Sequence, residues 1–271
     1  MSSTTESLAD KVRGFWEERA EQHAANPAAT TNDVHLRELE IVTFIETLKE
    51  VGFNSGDCLD VGCGDGYSTL RVAAALPGCR FHGVDYSDNM IANARAGLKD
   101  MPEIADRLNF SVGDALNLSD AVGDRTYDVV TSDRCLINLE SFEAQASAIA
   151  QIASHVKPGG HYIGIENFME GQNNLSAARA HMGLSEIPVR WHNLFFKKDE
   201  FLSECSKHFE LVEWKDFSSS YYFATRVLYS AICKTEGSEP DYQHPIHQMA
   251  GKLPWTGEFS PICMAVLQRR T

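Results

Sequence analysis

The sequence predicts an α/β domain built on a largely parallel sheet with helices on both faces. Five short apolar runs, each typical of a strand, alternate with segments whose apolar residues recur at helical spacing. Strands separated by helices form βαβ units, which place helices on both faces of a parallel sheet. The 271 residues, of which 43% are hydrophobic, suffice for one large domain. No internal repeat or shift in composition marks a second domain, so we interpret residues 1–271 as one.

The first 52 residues predict two helices that form an N-terminal lid. Apolar residues recur at helical spacing over 6–24, and the sequence NPAATTND interrupts the pattern at 26–33. Asp33 can cap a second helix, which presents Ile41, Phe44 and Leu48 on one face.

The central part, residues 53–168, predicts the sheet that holds the main site. Its strand-like runs are CLDVG (58–62), RFHGVDY (80–86), LNFSVGD (108–114), YDVVTSD (127–133) and HYIGIENF (161–168). Ser87 and Ser141 can cap two of the intervening helices. We interpret the KPGG sequence at 157–160 as a tight stop before the fifth strand.

The C-terminal part predicts two further strands, because residues 209–219 and 261–270 alternate between apolar and polar side chains. Residues 169–208 and 220–260 are interpreted as substrate-lid insertions, since long connections in a compact domain are commonly functional.

The charge excludes some classes of partner. The chain carries 24 Lys and Arg against 38 Asp and Glu, a net charge of −14, which disfavours nucleic acid and membrane surfaces. Seven cysteines without C-x-x-C spacing indicate buried free thiols in a reducing compartment. The sequence MSSTTESLADK has no apolar signal region and no stretch reaches transmembrane length, so we expect a cytoplasmic protein. A homodimer is the one assembly that we consider.

The first strand leads into a glycine-rich turn, and the two together form the sequence DCLDVGCGDGYST at 57–69. A Walker phosphate loop would need a lysine after the glycines, and none is present. A dinucleotide-binding G-x-G-x-x-G motif would need glycine where Tyr67 stands. Phosphate and dinucleotide sites are therefore both disfavoured.

The same turn suits a different ligand. Gly62 and Gly64 let the backbone approach a ligand closely, because neither residue has a Cβ atom. Asp60 ends the first strand, where a carboxylate suits an ammonium group better than a pyrophosphate. Asp85 ends the second strand, where an acid typically binds ribose hydroxyls. The predicted ligand is a nucleoside with a ribose, a cationic amino group and no phosphate.

The motifs DVGCGDG, GVDYS, VGDA, YDVV and KPGG, in this order, resemble the class I S-adenosylmethionine-dependent methyltransferases. The resemblance is close over 57–168 and extends to 209–270 by topology. It implies a Rossmann-like sheet of seven strands with the last one antiparallel. It also implies S-adenosyl-L-methionine as the cofactor.

The resemblance implies cofactor contacts along the strand ends. Asp60 and the glycine turn would hold the methionine part, Asp85 the ribose, and Asp114 with Ala115 the amino edge of adenine. Tyr86 and Met90 would flank the adenine or serve in packing alone. Trp16, with Arg19 and Arg37, is a candidate for closing over the methionine carboxylate. The full expected set is Asp60, Gly62, Cys63, Gly64, Asp85, Tyr86, Met90, Gly113, Asp114, Ala115, Arg134 and Trp16.

Candidates for the chemical step come from the ends of strands four and five and from the insertions. His192, Glu166 and Asp133 are the candidate bases, although His192 is equally consistent with a surface histidine beside a buried tryptophan. The expected substrate-binding residues are Asn138, Trp191, Asn193, Tyr221, Tyr222 and Arg226. The last three are also consistent with helix packing. His244 and His247 form a pair without a third ligand, so no metal site is predicted.

The sequence therefore predicts methyl transfer to a small molecule in secondary or sugar-linked metabolism, with a hydroxyl as the favoured acceptor. Nitrogen, sulfur or carbon acceptors and a protein substrate stay open, as does a non-catalytic cofactor-binding module. A base amine of nucleic acid is disfavoured, because the Asp/Asn-Pro-Pro-Tyr/Phe stretch of the enzymes with that activity does not follow strand four.

Overall fold

The computed structural model describes residues 7–23 and 31–271 and contains a seven-stranded sheet. The strand order is β3-β2-β1-β4-β5-β7-β6, with β7 antiparallel to both of its neighbours and the other strands parallel. This topology confirms the predicted fold class. The strands are β1 Gly56–Val61, β2 Cys79–Asp85, β3 Leu108–Val112, β4 Tyr127–Asp133, β5 Val156–Asn167, β6 Phe209–Lys215 and β7 Ile262–Arg269.

Helices cover both faces of the sheet, and three of them begin at the predicted caps. Asp33, Ser87 and Ser141 each accept a hydrogen bond from the backbone N–H three residues later, at 3.1, 3.0 and 3.2 Å. Among the helices of the described residues, none has the length and apolar character needed to cross a bilayer. The α-helices are α1 Leu8–His23, α2 Val34–Glu50, α3 Tyr67–Ala75, α4 Asp88–Lys99, α5 Ser119–Val122, α6 Phe142–His155, α7 Met169–His181, α8 Lys198–Cys205, α9 Ser219–Tyr222, α10 Tyr229–Glu236 and α11 Pro245–Ala250. A π-helical segment, Phe223–Leu228, joins α9 to α10.

The two sides of the sheet carry separate apolar cores, because successive strand residues point to opposite faces. Val129 and Ile163 pack towards α2, α3 and α4, whereas Val130 and Tyr162 pack towards α6 and α8. The described cysteines are all free and, apart from the half-buried Cys135, buried, as the sequence indicated.

Two of the predicted boundaries are wrong. Tyr127 pairs with Val156 and Val129 with His161, so residues 157–160 bulge within β5 and do not precede it. The segment 169–208 is not a lid throughout, because its last part forms α8. Phe201 on that helix is completely buried against the sheet.

A pair of glycine substitutions tests the packing beneath the glycine turn. A Cβ atom at Gly66, where φ is 74°, would lie 2.7 Å from the Cβ of Ala94 and 2.8 Å from the ring of Phe110. We expect Gly66→Ala to lower the free energy of unfolding by about 2–4 kcal/mol in urea denaturation. Gly14→Ala is the matched control, because nothing lies within 4 Å of that position on α1. It should be neutral or stabilise by at most ~1 kcal/mol. Equal effects of the two substitutions would contradict the packing described here.

Candidate active site

A cavity of about 290 Å³ opens at the carboxyl edge of the parallel strands. Asp85, Asp133 and Asn167 end β2, β4 and β5 there, and all three line the cavity. Ligands bind at this edge in open α/β sheets. The expected cofactor residues that line the cavity are Trp16, Asp60, Gly62, Cys63, Gly64, Asp85, Tyr86, Met90 and Arg134.

The other three expected cofactor residues lie outside the cavity lining. Gly113, Asp114 and Ala115 follow β3, and the side chain of Asp114 is exposed. Its carboxylate accepts a hydrogen bond from the backbone N–H of Leu116 at 2.8 Å, which holds it in a local turn. The adenine contact proposed for these residues stays a prediction.

The glycine turn is tied to the end of β2. The backbone N–H groups of Gly62 and Cys63 both donate to the carbonyl of Val84, at 2.7 and 3.0 Å. A Cβ atom at Gly62, where φ is 74°, would lie 2.3 Å from the sulfur of Cys135. A side chain at position 62 would therefore clash with the loop after β4, as well as blocking the close approach of a ligand to the backbone.

Two carboxylates in the cavity have no basic partner among the described residues. Asp60 accepts hydrogen bonds from the hydroxyls of Thr69 and Thr131, the latter at 2.9 Å. Asp85 accepts from the backbone N–H groups of Gly64 at 3.0 Å and Ser87 at 2.9 Å. Both side chains are half-buried, and removal from water raises the pKa of each to about 6. This part of the cavity favours a cation.

A second set of acids in the same region is paired with arginine. Arg37 forms a buried ion pair with Asp65 at 2.6 Å. Arg134, which has a φ of 50°, lies 3.1 Å from Glu40 and 3.6 Å from Asp133. Burial raises the pKa of Glu40 to about 8 and also raises the pKa of Asp133, although Arg134 opposes both shifts. One buried oxygen of Asp133 has no hydrogen-bond partner in the described chain.

His192 lines the same cavity from within an aromatic enclosure. Its ring stacks on Phe15 with the centroids 4.5 Å apart and contacts the edges of Trp16 and Trp191. The side chain is 6% exposed, and its buried Nδ1 has no partner among residues 7–23 and 31–271. Burial, with the positive charges of Arg190 and Arg19, lowers the pKa of His192 to about 4. The imidazole is therefore neutral at physiological pH.

Glu166 does not reach the cavity, so its prediction as a catalytic base is wrong. The side chain is completely buried, and its carboxylate accepts hydrogen bonds from Ser132 at 2.9 Å and from the backbone of Leu136 and Ile137. Burial raises its pKa to about 8. These contacts hold the loop after β4, which is a structural role.

Some of the expected substrate-binding residues line the cavity and others do not. Asn138, Asn193, Tyr222 and Arg226 line the cavity, whereas Trp191 and Tyr221 do not. Trp191 is 57% exposed and packs beside His192. The buried hydroxyl of Tyr221 donates to Asp33 at 2.6 Å, which makes it part of the lid packing.

Several cavity residues were not singled out by the sequence as binding residues. Asp33, predicted only as a cap, also lines the cavity and pairs with Arg226. Gln172, Asn167 and Arg190 line it as well. Of these residues, only Asn167 could have been predicted from the sequence, because it ends β5 in the same way that Asp133 ends β4.

The region that forms this site is similar to a known domain family. Residues 58–160 match the family described as a methyltransferase domain, and that region includes the glycine turn, Asp85 and Asp133. The seven strands have the arrangement expected for it, with β7 antiparallel. Residues 58–160 therefore match a methyltransferase domain, and the sheet around them has the arrangement found in class I S-adenosylmethionine-dependent methyltransferases.

Curated relatives of this chain match over part of their length. Demethylmenaquinone methyltransferase of Lactococcus lactis subsp. lactis (strain IL1403) is 32% identical over 45% of this chain and 46% of its own. Malonyl-[acyl-carrier protein] O-methyltransferase of Priestia megaterium (strain DSM 319 / IMG 1521) is 24% identical over 66% of each chain. This chain therefore spans less than two thirds of the length of either relative.

Solved structures show the same fold at low identity. Magnesium protoporphyrin IX methyltransferase (ChlM) from Synechocystis PCC 6803 with bound SAM is 14% identical over the whole of both chains, with a TM-score of 0.62. The [4+2]-cyclase SpnF is 20% identical, with 83% of this chain and 80% of its own covered and a TM-score of 0.53. These likenesses concern the fold alone.

The cavity fits S-adenosyl-L-methionine, which is bound in one of the solved structures with this fold. The cofactor carries a sulfonium, an ammonium group and ribose hydroxyls, and Asp60 and Asp85 supply carboxylates that no basic side chain of the described residues neutralises. The buried hydroxyl of Tyr86 also lacks a hydrogen-bond partner there. Charge and hydrogen-bonding capacity both match.

The structural role of Glu166 can be tested by an isosteric substitution. At pH 9, above the pKa of about 8, Glu166→Gln turns one acceptor oxygen of the ionised carboxylate into an NH₂ group that faces an N–H or O–H donor, so we expect a loss of about 1–3 kcal/mol in the free energy of unfolding at that pH. Glu143→Gln makes the same chemical change on the exposed surface of α6 and should stay within about 0.5 kcal/mol of the wild type. An unchanged denaturation midpoint for Glu166→Gln would refute the structural assignment.

Proposed function

We propose that this protein transfers the methyl group of S-adenosyl-L-methionine to a small-molecule acceptor, with a hydroxyl as the preferred acceptor. The observation that carries the proposal is the continuity of one cavity from the unpaired carboxylates Asp60 and Asp85 to the enclosed, neutral His192. The carboxylates suit a cationic nucleoside, and the histidine provides an acceptor for a hydroxyl proton. The O-methyltransferase among the relatives supports oxygen, and the small cavity supports a small molecule.

The proposed cofactor residues are arranged along the strand ends. Asp60 and the turn at Gly62 and Gly64 hold the methionine part, and Asp85 binds the ribose hydroxyls. Met90 and Tyr86 flank the adenine. Arg134 keeps the Asp133 carboxylate next to the reacting centre through their contact at 3.6 Å.

In the chemical step, the protein has to position the acceptor more than it has to activate the methyl group. The cofactor supplies an electrophilic methyl group that is already activated by the positive sulfur. The chain has to align the acceptor in line with that group and exclude water. Trp16 contributes to the enclosure, and its indole N–H donates to Asn138 at 3.2 Å, which fixes the amide at the cavity wall. His192 accepts the hydrogen of the acceptor hydroxyl at its buried Nδ1, which has no hydrogen-bond partner among the described residues.

Other acceptors on the same site remain alternatives. Nitrogen, sulfur and carbon acceptors need less or no base, and the structure of an N-methyltransferase, NodS from Bradyrhizobium japonicum WM9, shares the fold with a TM-score of 0.53. A cyclase with the fold also keeps a non-methylating binding module as a distinct alternative. Loss of turnover on substitution of His192 would favour oxygen over the nitrogen, sulfur and carbon acceptors.

Substitution of Asp85 tests the ribose assignment. We expect Asp85→Ala to weaken the binding of S-adenosyl-L-methionine at least about tenfold, or roughly 1.4 kcal/mol, when measured by calorimetry. Asp106→Ala removes an exposed carboxylate outside the cavity and should leave the affinity unchanged. Unchanged affinity in Asp85→Ala would remove the assignment.

Substitution of His192 tests the acceptor side. We expect His192→Ala to lower kcat on the order of a hundredfold with little change in cofactor affinity. His181→Ala, which truncates an exposed histidine on α7, should retain full turnover. Normal turnover in His192→Ala would exclude His192 as the base and leave Asp133 as the candidate.

A further inference from the structure

Positive charge gathers beside His192 although the chain as a whole is strongly negative. Arg190 lines the cavity two residues before His192, and its guanidinium has no ion pair within the described ranges. Arg19 on α1 is close enough that its pKa, which burial lowers, is lowered further by the charge of Arg190. The guanidinium of Arg190, on the lining of the cavity and without an ion pair in the described residues, favours a bound anion.

The turn that carries Arg190 is fixed to the body of the domain. The carbonyl of Arg190 accepts a hydrogen bond from the backbone N–H of Asn193 at 2.9 Å. On one side, the half-buried Ile187 is held through its carbonyl by Gln172 at 2.6 Å. On the other side, Leu194 accepts from the buried Gln145 at 2.8 Å. The guanidinium therefore extends from a well-anchored turn, which lowers the entropy cost of binding a ligand.

Apolar side chains contribute to the lining of the cavity around this turn. Ile187, Pro188 and Phe195 belong to the same segment as Arg190, and Leu175 lies on α7, with the polar Gln172 and Asn193 among them. A ligand here meets apolar side chains along its body and a cation at one end. An inorganic anion would leave these apolar side chains unused, whereas a neutral hydrophobic molecule would leave the arginine without a partner.

We propose that the acceptor is a small organic acid whose carboxylate pairs with Arg190 and whose apolar body lies against these apolar side chains. The proposal rests on the proposed function and adds the substrate class to it. The planar guanidinium can form two parallel hydrogen bonds to a carboxylate, which fixes the direction of the ligand as well as its position. The acceptor hydroxyl then lies on the body of the acid, near His192. Arg190 is a specificity residue and takes no part in the proton transfer.

The test measures binding, and it does not require the acceptor to be known. Benzoate, phenylacetate and hexanoate are each compared with their primary amides by ligand-observed NMR, with the full chain saturated with S-adenosylhomocysteine. We expect the acids to bind about tenfold more tightly than the amides. Arg190→Gln should abolish this preference, and Arg190→Lys should retain part of it. Arg125→Gln is the control, since it removes an exposed arginine at the start of β4, at the opposite edge of the sheet.

Each other outcome counts against the site. Equal binding of acids and amides, failure of all three acids to bind at millimolar concentration, or retention of the preference in Arg190→Gln would overturn it. Tighter binding of phenyl phosphate than of benzoate would replace the carboxylate with a phosphate ester.

The proposal and the proposed function can fail separately. Acid binding that depends on Arg190, without methyl transfer to any small molecule, would leave the anion site standing and remove the proposed function. Methyl transfer with the same acceptor KM in Arg190→Gln as in the wild type would keep the function and remove the anion site.

Discussion

Two carboxylates without a basic partner dominate the cavity, and the surrounding structure is arranged around them. Asp60 and Asp85 are held by hydroxyl and backbone N–H donors, and their pKa values are raised to about 6. Because the folded pKa lies above the unfolded value of about 3.9, these groups contribute stability at low pH that is lost as the pH rises towards 6. A cationic ligand opposes this loss. The site is thus destabilised without its ligand in a way that favours binding.

Other acids near the cavity are paired with arginines, which offsets the loss of stability that an unpaired, buried carboxylate causes. Asp65, Glu40 and Asp33 each pair with an arginine, and the last pair joins α2 to the segment between α9 and α10. These pairs hold the lid elements against the sheet. The contrast between the paired acids in and around the cavity and the unpaired Asp60 and Asp85 distinguishes groups that support the fold from groups that are available to a ligand.

Local features of the sequence were sufficient for the sheet and the caps, and nine of the twelve expected cofactor residues line the cavity. Asp33, Ser87 and Ser141 cap helices because their side chains reach a backbone N–H only three residues away. Contacts between segments that are distant in sequence could not be predicted from local features. Glu166 looked like a base because it lies near the end of a strand, yet it faces the loop after β4. The pairing of Arg134 with Glu40 spans 94 residues, and no local pattern encodes it.

The central claim is methyl transfer to a small molecule, and an isotope experiment tests it most directly. Purified protein is incubated with methyl-labelled S-adenosyl-L-methionine and a metabolite extract of the source cell, and the products are separated by mass spectrometry. The account predicts label in at least one small organic product, together with S-adenosylhomocysteine. Label on macromolecules alone, or no label anywhere while the cofactor is bound, would contradict it.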